Sequence, residues 1–347
     1  MNAISAHVVD VRREAFWPAV AEHRLGSLFS SPLWGEALAR TYGFDISAST
    51  ATRRGSVESA ILFACVSDMR GDRVVSLPFS DYCDPLVEDA DAWSELLEPI
   101  LAMGVPVSFR CLHHEVAPND PRFTVMGHAL WHDVDLTRSE DELWAGLSGS
   151  ARQNVRKAMR NGIVVREARD MEAVRTFHRM HCHLRKTKYR MLAQPIGFFE
   201  NLHELFSPGD RLTVLLAERD GDAVAGIVFL EWGDTLYYKF NASLDPVNCP
   251  NDLLAWEGIR YGNRRGLCRL DFGVSDLDQP GLIRYKRKYA ARERTATRLR
   301  WLPPGHADAR GEQAGRTFGR LTELFTRPDV PDDVTAAAGN ELYRYFC

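Results

Sequence analysis

The sequence predicts a mixed α+β fold in two domains with largely antiparallel central sheets, and three observations carry that expectation. The chain has 347 residues, enough for two domains that each bury a core. Strand-like and helix-like segments alternate through both halves, the pattern of mixed α/β architecture. The apolar runs 211–218 and 223–232 are joined by Arg219-Asp220-Gly221-Asp222, whose Asp-Gly signals a tight hairpin. Such antiparallel neighbours exclude a purely parallel Rossmann sheet.

A strand is expected over Ser5 to Val11. Ser31-Pro32-Leu33-Trp34 then opens a helix through Arg40, because Ser caps and Pro suits the first helical position. Apolar runs at 60–66 and 73–78, a helix over 92–101, and strands at 105–111 and 129–136 complete the first half. Ser139-Glu140-Asp141-Glu142 starts an acidic helix with its carboxylates at the positive pole, and the domain boundary is expected near residue 145, giving domains 1–145 and 146–347. The second half starts with a helix over 148–160 ended by Asn161-Gly162, a C-cap signal. A strand (163–167), helices over 171–188 and 196–206, and strands at 211–218, 223–232 and 235–241 follow. A helix over Asn251 to Arg265, a strand over 269–272, a basic helix and a strand over 295–302 finish the plan.

Composition limits the function classes. With 45% hydrophobic and 26% charged residues the chain is an ordinary globular one, which argues against disorder. No apolar run reaches the roughly 20 residues that cross a bilayer, and the start lacks a signal-peptide pattern, so a cytoplasmic protein is expected. Seven cysteines without a CxxC pair read as free thiols, none a favoured nucleophile. Arg152 to Arg190 holds twelve Lys or Arg against three acids, and Arg284 to Arg300 is similarly basic, so an anionic partner is expected. His178, His181, Cys182 and His183 lack the spacing and flanking carboxylates of a metal site, and His113-His114-Glu115 reads the same way.

The chemistry-bearing residues stand in four ordered pieces. Tyr237-Tyr238-Lys239-Phe240-Asn241 is an aromatic strand, with Tyr238 and Phe240 expected on one face and Tyr237 and Lys239 on the other. Pro250-Asn251 opens a helix, Leu270-Asp271-Phe272-Gly273 ends a strand, and Tyr285-Lys286-Arg287-Lys288-Tyr289 is a basic-aromatic helix. The order and spacing resemble the FemAB-like, or BioF2-like, branch of the Gcn5-related N-acetyltransferase (GNAT) superfamily. Further pieces extend the likeness over nearly the whole chain: Ser76 to Leu86 resembles a first-domain loop of that branch, Arg152-Gln153-Asn154-Val155-Arg156-Lys157-Ala158 resembles its R-x-N-x-R-K-A helix, and Gln194-Pro195 before Phe198-Phe199 recurs there.

The resemblance implies tandem GNAT-like domains and an acyltransferase in which an amine attacks the carbonyl of a CoA thioester or an aminoacyl-tRNA ester. It implies a splayed central strand admitting the donor. Lys286, in a motif similar to F-K-x-x-F/Y, would then reach the reaction centre and stabilise an oxyanion or a phosphate leaving group. Tyr238 would orient the amine or leaving group. Relatives keep Tyr-x-Tyr where this chain has Tyr238-Lys239-Phe240, so an acid role at 240 is lost and Phe240 is either a binding contact or core. Asp271 is a candidate general base. Arg152 and Arg156 share a helix face with Lys157 beside it, an array suited to phosphate, and Asn154 lies within that motif. Lys188, Tyr189 and Arg190 form a basic-aromatic patch near the acceptor or a helix cap, and Tyr285 flanks Lys286. Asn251 is either an N-cap or a ligand contact. The glycine loop that holds pyrophosphate in CoA-dependent relatives is replaced here by Pro250-Asn251.

The expected activity is therefore transfer of an acyl or aminoacyl group to an amine of a cell-envelope, polysaccharide or peptidoglycan precursor or a small molecule. No permanently bound cofactor or metal is expected; acyl-CoA or aminoacyl-tRNA serves as co-substrate, and partners are phosphate- or nucleotide-bearing molecules, charged tRNA, or a membrane-linked precursor met peripherally. The alternatives are an aminoacyl-tRNA-dependent peptidyltransferase of peptidoglycan-bridge type and an inactive sugar-nucleotide-binding module.

Overall fold

A computed structural model describes residues 6–11, 23–53 and 56–347. Ser5 and the amino-terminal residues read above for a signal pattern lie outside the described residues. The chain falls into two compact units, Met1–Ala129 with Arg294–Thr317 and Arg344–Cys347, and Leu130–Glu293 with Phe318–Tyr343. This differs from a single cut near residue 145. The reason is topological, since strands over Thr124–Asp135 and Arg292–Trp301 each contribute residues to both units.

In the first unit, β1 (Ala6–Asp10), β2 (Asp45–Arg53), β3 (Ser56–Asp68) and β4 (Gly71–Val75) pair antiparallel in sequence order. β5 (Val107–Cys111) joins β4 in parallel. Helix α1 (Pro32–Tyr42) starts as its sequence dictates, with the Ser31 side chain accepting from Trp34 N–H and Pro32 at the first position, and ends at Gly43, whose φ of +69° suits glycine. Helix α2 (Ala90–Leu101) sets Trp93, Leu96, Leu97 and Ile100 against Ile61, Phe63, Val74, Val107 and Phe109. The chain then runs into β6 (Thr124–Asp135).

The second unit begins with α3 (Glu140–Gly146), whose Ser139 and Glu142 form a reciprocal capping box. Helix α4 (Gly149–Arg160) is stopped at Asn161 with Gly162 at φ +76°, as the sequence predicts. β7 (Val164–Ala168), α5 (Met171–Leu184), a π turn over Arg185–Tyr189 and α6 (Ile196–Phe206) follow. β8 (Leu212–Arg219), β9 (Asp222–Trp232) and β10 (Thr235–Ser243) form an antiparallel meander with β7. Asp220 and Gly221 both have positive φ, at +57° and +91°, the signature of the primed hairpin turn read from Asp-Gly. Helix α7 (Pro250–Arg264) leads to β11 (Arg269–Asp276), which pairs in parallel with β10. Helix α8 (Pro280–Arg287) and β12 (Arg292–Trp301) come next, and β12 pairs antiparallel with β5 in the first unit through Thr297–Trp301. Two further helices, α9 (Ala309–Phe325) and α10 (Asp332–Leu342), lie beyond the last element the sequence reading placed. The core of the second unit packs α4 and α7 against one sheet face through Ala151, Val155, Leu254, Ile259, Phe229 and Phe272.

Candidate active site

The site grows from a break in the second unit's sheet. β10 and β11 pair over three residue pairs only, Thr235 to Tyr237 with Arg269 to Asp271, although both strands continue for several residues. Beyond Tyr237, β10 has no ladder partner in β11. In the same stretch the register with β9 shifts between Tyr238 and Phe240, so Lys239 is a bulge residue. The sheet therefore opens at Tyr238, as the splayed strand of the resemblance implies.

The bulge corrects one sequence expectation. Tyr238 and Phe240 pair with adjacent β9 residues, Phe229 and Val228, and so lie on opposite faces. Tyr238 packs on Phe229 and Phe272, with ring centroids at 5.5 and 5.1 Å. Phe240 packs instead on Phe199 and Phe198, at 4.9 and 6.1 Å, and near His181, where it is core.

On the Tyr238 side three phenols cluster. Tyr238 and Tyr285 act on each other electrostatically, the Tyr285 and Tyr289 ring centroids lie 5.3 Å apart, and the Tyr289 hydroxyl donates to Asp252 Oδ1 at 3.2 Å. The Tyr285 hydroxyl also lies 2.9 Å from the Asn251 carbonyl, and Lys288 Nζ reaches Asp252 at 3.3 Å. Burial pushes all three phenols well above the ordinary tyrosine range, with the Asp252 carboxylate adding to each shift. Each stays a proton donor at neutral pH. The exposed Tyr189 lies near enough to act on Tyr238 electrostatically.

Asp252 and Asn251 owe their places to the start of α7. Cys249, not Asn251, is the N-cap; it sits at φ +59° and gives no side-chain cap, and Pro250 takes the first helical position. Asn251 is one residue further in, and its side-chain Oδ1 accepts from Asn241 Nδ2 at 3.1 Å. The N-cap expectation for Asn251 fails because Pro fits one position earlier. Cys249 is no activated nucleophile either, since burial and then Asp252 raise its pKa.

Lys286 and Asp271 converge on one glycine. Lys286, 4% exposed, donates to the Gly273 and Val274 carbonyls at 2.9 and 3.0 Å. Asp271, also buried, accepts from Gly273 N–H at 2.6 Å. Gly273 adopts φ +68°, a conformation that favours glycine, so the two side chains brace a kink in β11 beside the opening. His132 on β6 is a neighbour that the sequence reading missed. It is fully buried, contacts Glu293 through Nε2 at 3.1 Å, and its Nδ1 has no hydrogen-bond partner. Burial, and then the Lys286 charge, lowers its pKa, so it is neutral at pH 7. A lone His in an apolar strand carries no sequence signal.

The basic residues scatter more than the sequence suggested. Arg152 donates to the Ala145 and Leu147 carbonyls at 2.8 and 2.5 Å, closing the end of α3. Exposed Arg156 lies over the Trp144 ring at 5.4 Å, Lys157 donates to Val247 O at 2.8 Å, and Asn154 is half-buried on the same helix. Arg190, at φ +54°, donates to Thr326 O at 2.8 Å, and Lys188 lies over Tyr189. Arg152 and Arg190 thus hold carbonyls. Arg156, Lys188 and Tyr189 remain exposed. His178 and His181 both bond to Gln194, at 3.0 and 2.9 Å. Among the described residues no helix is long and apolar enough to cross a membrane.

Comparison with known proteins agrees with this geometry. A family model described as an acetyltransferase (GNAT) domain matches residues 149–287, which contain the opened strands, α7 and α8. No curated protein matches in sequence. Among solved structures, FemX is 14% identical with a TM-score of 0.70, covering 90% of this chain and 99% of its own. L-PGS from Bacillus licheniformis is 14% identical with a TM-score of 0.54, covering 89% of this chain and 98% of its own. A tandem GNAT protein from the clavulanic acid biosynthesis pathway is 9% identical with a TM-score of 0.55, covering 88% and 100%. Residues 149–287 thus match the acetyltransferase (GNAT) domain model, and the chain as a whole is similar in fold to FemX, L-PGS and the tandem GNAT protein.

Proposed function

We propose that the protein is an N-acyltransferase that moves an acyl or aminoacyl group from acyl-CoA or aminoacyl-tRNA to an amine of a cell-envelope, polysaccharide or peptidoglycan precursor or a small molecule. The observation that carries this reading is the opening between β10 and β11 with the Tyr238 phenol at its mouth. A donor carbonyl entering there meets strand backbone without a ladder partner in β11 and a phenol that keeps its proton. The amine nitrogen bonds to the carbonyl carbon, and an oxyanion forms. As the C–S or C–O bond breaks, Tyr238 protonates the departing thiolate or alkoxide. The proton lost by the amine nitrogen restores the phenol, so one proton moves from nitrogen to leaving group in each turnover. Lys286 and Asp271 hold β11 open at Gly273, and the buried ammonium adds positive potential near the oxyanion. Arg156 and Lys188 are the exposed cations left to meet donor or acceptor phosphates.

The test is incubation of purified protein with acyl-CoAs, or with charged tRNAs, and a set of amine acceptors, read by mass spectrometry. Product that requires Tyr238 supports the reading. Binding of a sugar nucleotide with no transfer from any donor would make the chain an inactive binding module instead.

A further inference from the structure

The π turn over Arg185–Tyr189 is held in place from outside its own helix. Such turns are rare, and they occur frequently at functional sites. This one has no side-chain cap and ends at Arg190, a non-glycine residue at φ +54°. Its support comes from the end of α9 and from α10. Lys186 donates to the Val330 carbonyl and, at 2.6 Å, to Asp332 Oδ1. Arg190 donates to Thr326 O at 2.8 Å, and Arg185 lies over the Tyr343 ring at 5.9 Å. Just past the turn, α10 approaches the backbone so closely that a Cβ at Gly339 would stand 2.6 Å from the Ala193 carbonyl oxygen. The supporting segment is itself tied together, with Thr335 Oγ1 donating to Phe325 O at 2.7 Å.

Stability alone does not account for this grip. Lys186 is 5% exposed while the Asp332 side chain is largely in water, so the ammonium gives up its hydration for one solvated carboxylate and one carbonyl. An apolar side chain of similar length would fill the same space without that cost. What the contacts fix is the residue they bracket. Lys186, Arg190 and Ala193 are held on either side of Tyr189, whose own ring is half-exposed. Tyr189 is not core, yet it is close enough to Tyr238 to act on it electrostatically. Helix α5 packs on the Phe240 side of the sheet through His181, so the π turn that continues it brings Tyr189 from that side to the mouth of the opening.

We infer that Lys186 is a positioning residue of the acyl-transfer site: through Val330 and Asp332 it fastens the π turn to the 326–343 segment, and so fixes Tyr189 as the wall against which the incoming amine is seated beside Tyr238. The amine rests on the acyl-transfer reading, whereas the grip on Tyr189 rests on the contacts alone.

Two measurements on the full chain test this. In the first, made without substrate, the protein carries 3-fluorotyrosine and the Tyr189 fluorine signal is assigned with Tyr189→Phe. Lys186→Met, which cuts both bonds, and Asp332→Ala, which leaves the Val330 bond in place, are each expected to shift and broaden that signal. In the second, kinetics use the donor and amine that react in the transfer assay. Lys186→Met and Tyr189→Ala are each expected to raise KM for the amine about tenfold or more with kcat little changed, and the double variant no more than either alone, because both act through one contact. Asp332→Ala, at a largely exposed carboxylate, decides both measurements if Lys186→Met does not fold. Loss of kcat in step with the folded fraction at unchanged KM, or KM effects that multiply in the double variant, would make Lys186 a structural tie and overturn the inference. A Tyr189 signal indifferent to both variants would overturn it as well. A Tyr189 signal that moves while no donor and amine react upholds the grip and removes the acyl-transfer reading instead.

Discussion

Tyr238 and Phe240 stand two residues apart on β10 yet face opposite sides of their sheet, because the bulge at Lys239 adds one residue between them. The phenol lies beside Tyr285 while Phe240 packs on Phe199. A hydroxyl at position 240 would therefore point into the α5–α6 core, away from the Tyr238 phenol.

That geometry makes Tyr238→Phe the sharpest test of the chemistry. Removing a general acid should lower kcat by roughly 10²- to 10⁴-fold with KM little changed. The loss should shrink for donors with better leaving groups, which need less protonation. Because the phenol's pKa is raised, the parent should show no alkaline loss of activity from this group below about pH 10. Equal losses across donors of all leaving-group quality would remove Tyr238 from the acid role.

Lys286→Ala should cost both turnover and stability. The substitution strips the buried Gly273 carbonyl and the half-buried Val274 carbonyl of a donor, at roughly 1 to 3 kcal/mol for a buried group left unsatisfied, and frees the Gly273 kink. Sequence motif alone suggested a cation devoted to catalysis. Parallel melting and single-turnover measurements separate the two contributions: a lower melting temperature with unchanged turnover would leave Lys286 a purely structural brace.

The two arginines of α4 should part company. Arg152→Ala loses the carbonyl contacts that close α3 and should destabilise the protein by about 1 to 3 kcal/mol in urea unfolding. Arg156→Ala removes an exposed guanidinium lying over the half-buried Trp144 ring and should leave stability within about 0.5 kcal/mol, while weakening phosphate-bearing ligands and flattening their salt dependence. If Arg156→Ala binds every donor as tightly as the parent, α4 is a structural surface.

The contrast shows what a sequence can carry. Ser31-Pro32, Asn161-Gly162 and Asp220-Gly221 announced a cap, a stop and a hairpin because each acts on its own backbone within a few residues. The opening between β10 and β11 was legible only through resemblance, since loss of pairing is a relation between strands about thirty residues apart. The bulge at Lys239 broke simple alternation without a glycine or proline to mark it. His132 beside Lys286, and Tyr238 beside Tyr285, were brought together by tertiary packing alone. The placement of Cys249 as cap, with φ +59° on a non-glycine residue, also ran against local preference.

The start of α7 sets an expectation for CoA. Pro250 has no N–H, and no glycine precedes it to let a pyrophosphate approach the helix end closely. Affinity for free CoA should thus be weak and strongly salt-dependent in calorimetry, and Asn251→Gly should not improve it. Tight, salt-insensitive binding would show that backbone donors hold the pyrophosphate after all.

Acid should unfold the second unit partly through His181. This imidazole is enclosed by Phe177, Phe199 and Phe240 and bonded to Gln194, and burial, followed by the Arg185 charge, lowers its pKa from 6.5 to about 3. The unfolded chain therefore binds a proton below pH 6.5 that the folded state refuses until about pH 3. Stability from this residue is complete above pH 6.5 and falls as pH drops, by about 1.4 kcal/mol per pH unit at most, until the folded pKa is reached. His181→Asn keeps a polar partner for Gln194 but does not titrate, so it should lower stability at pH 7 and flatten its fall between pH 6 and 4. Urea unfolding across that range compares the two slopes, and identical slopes in parent and variant would mean that His181 takes up its proton without unfolding.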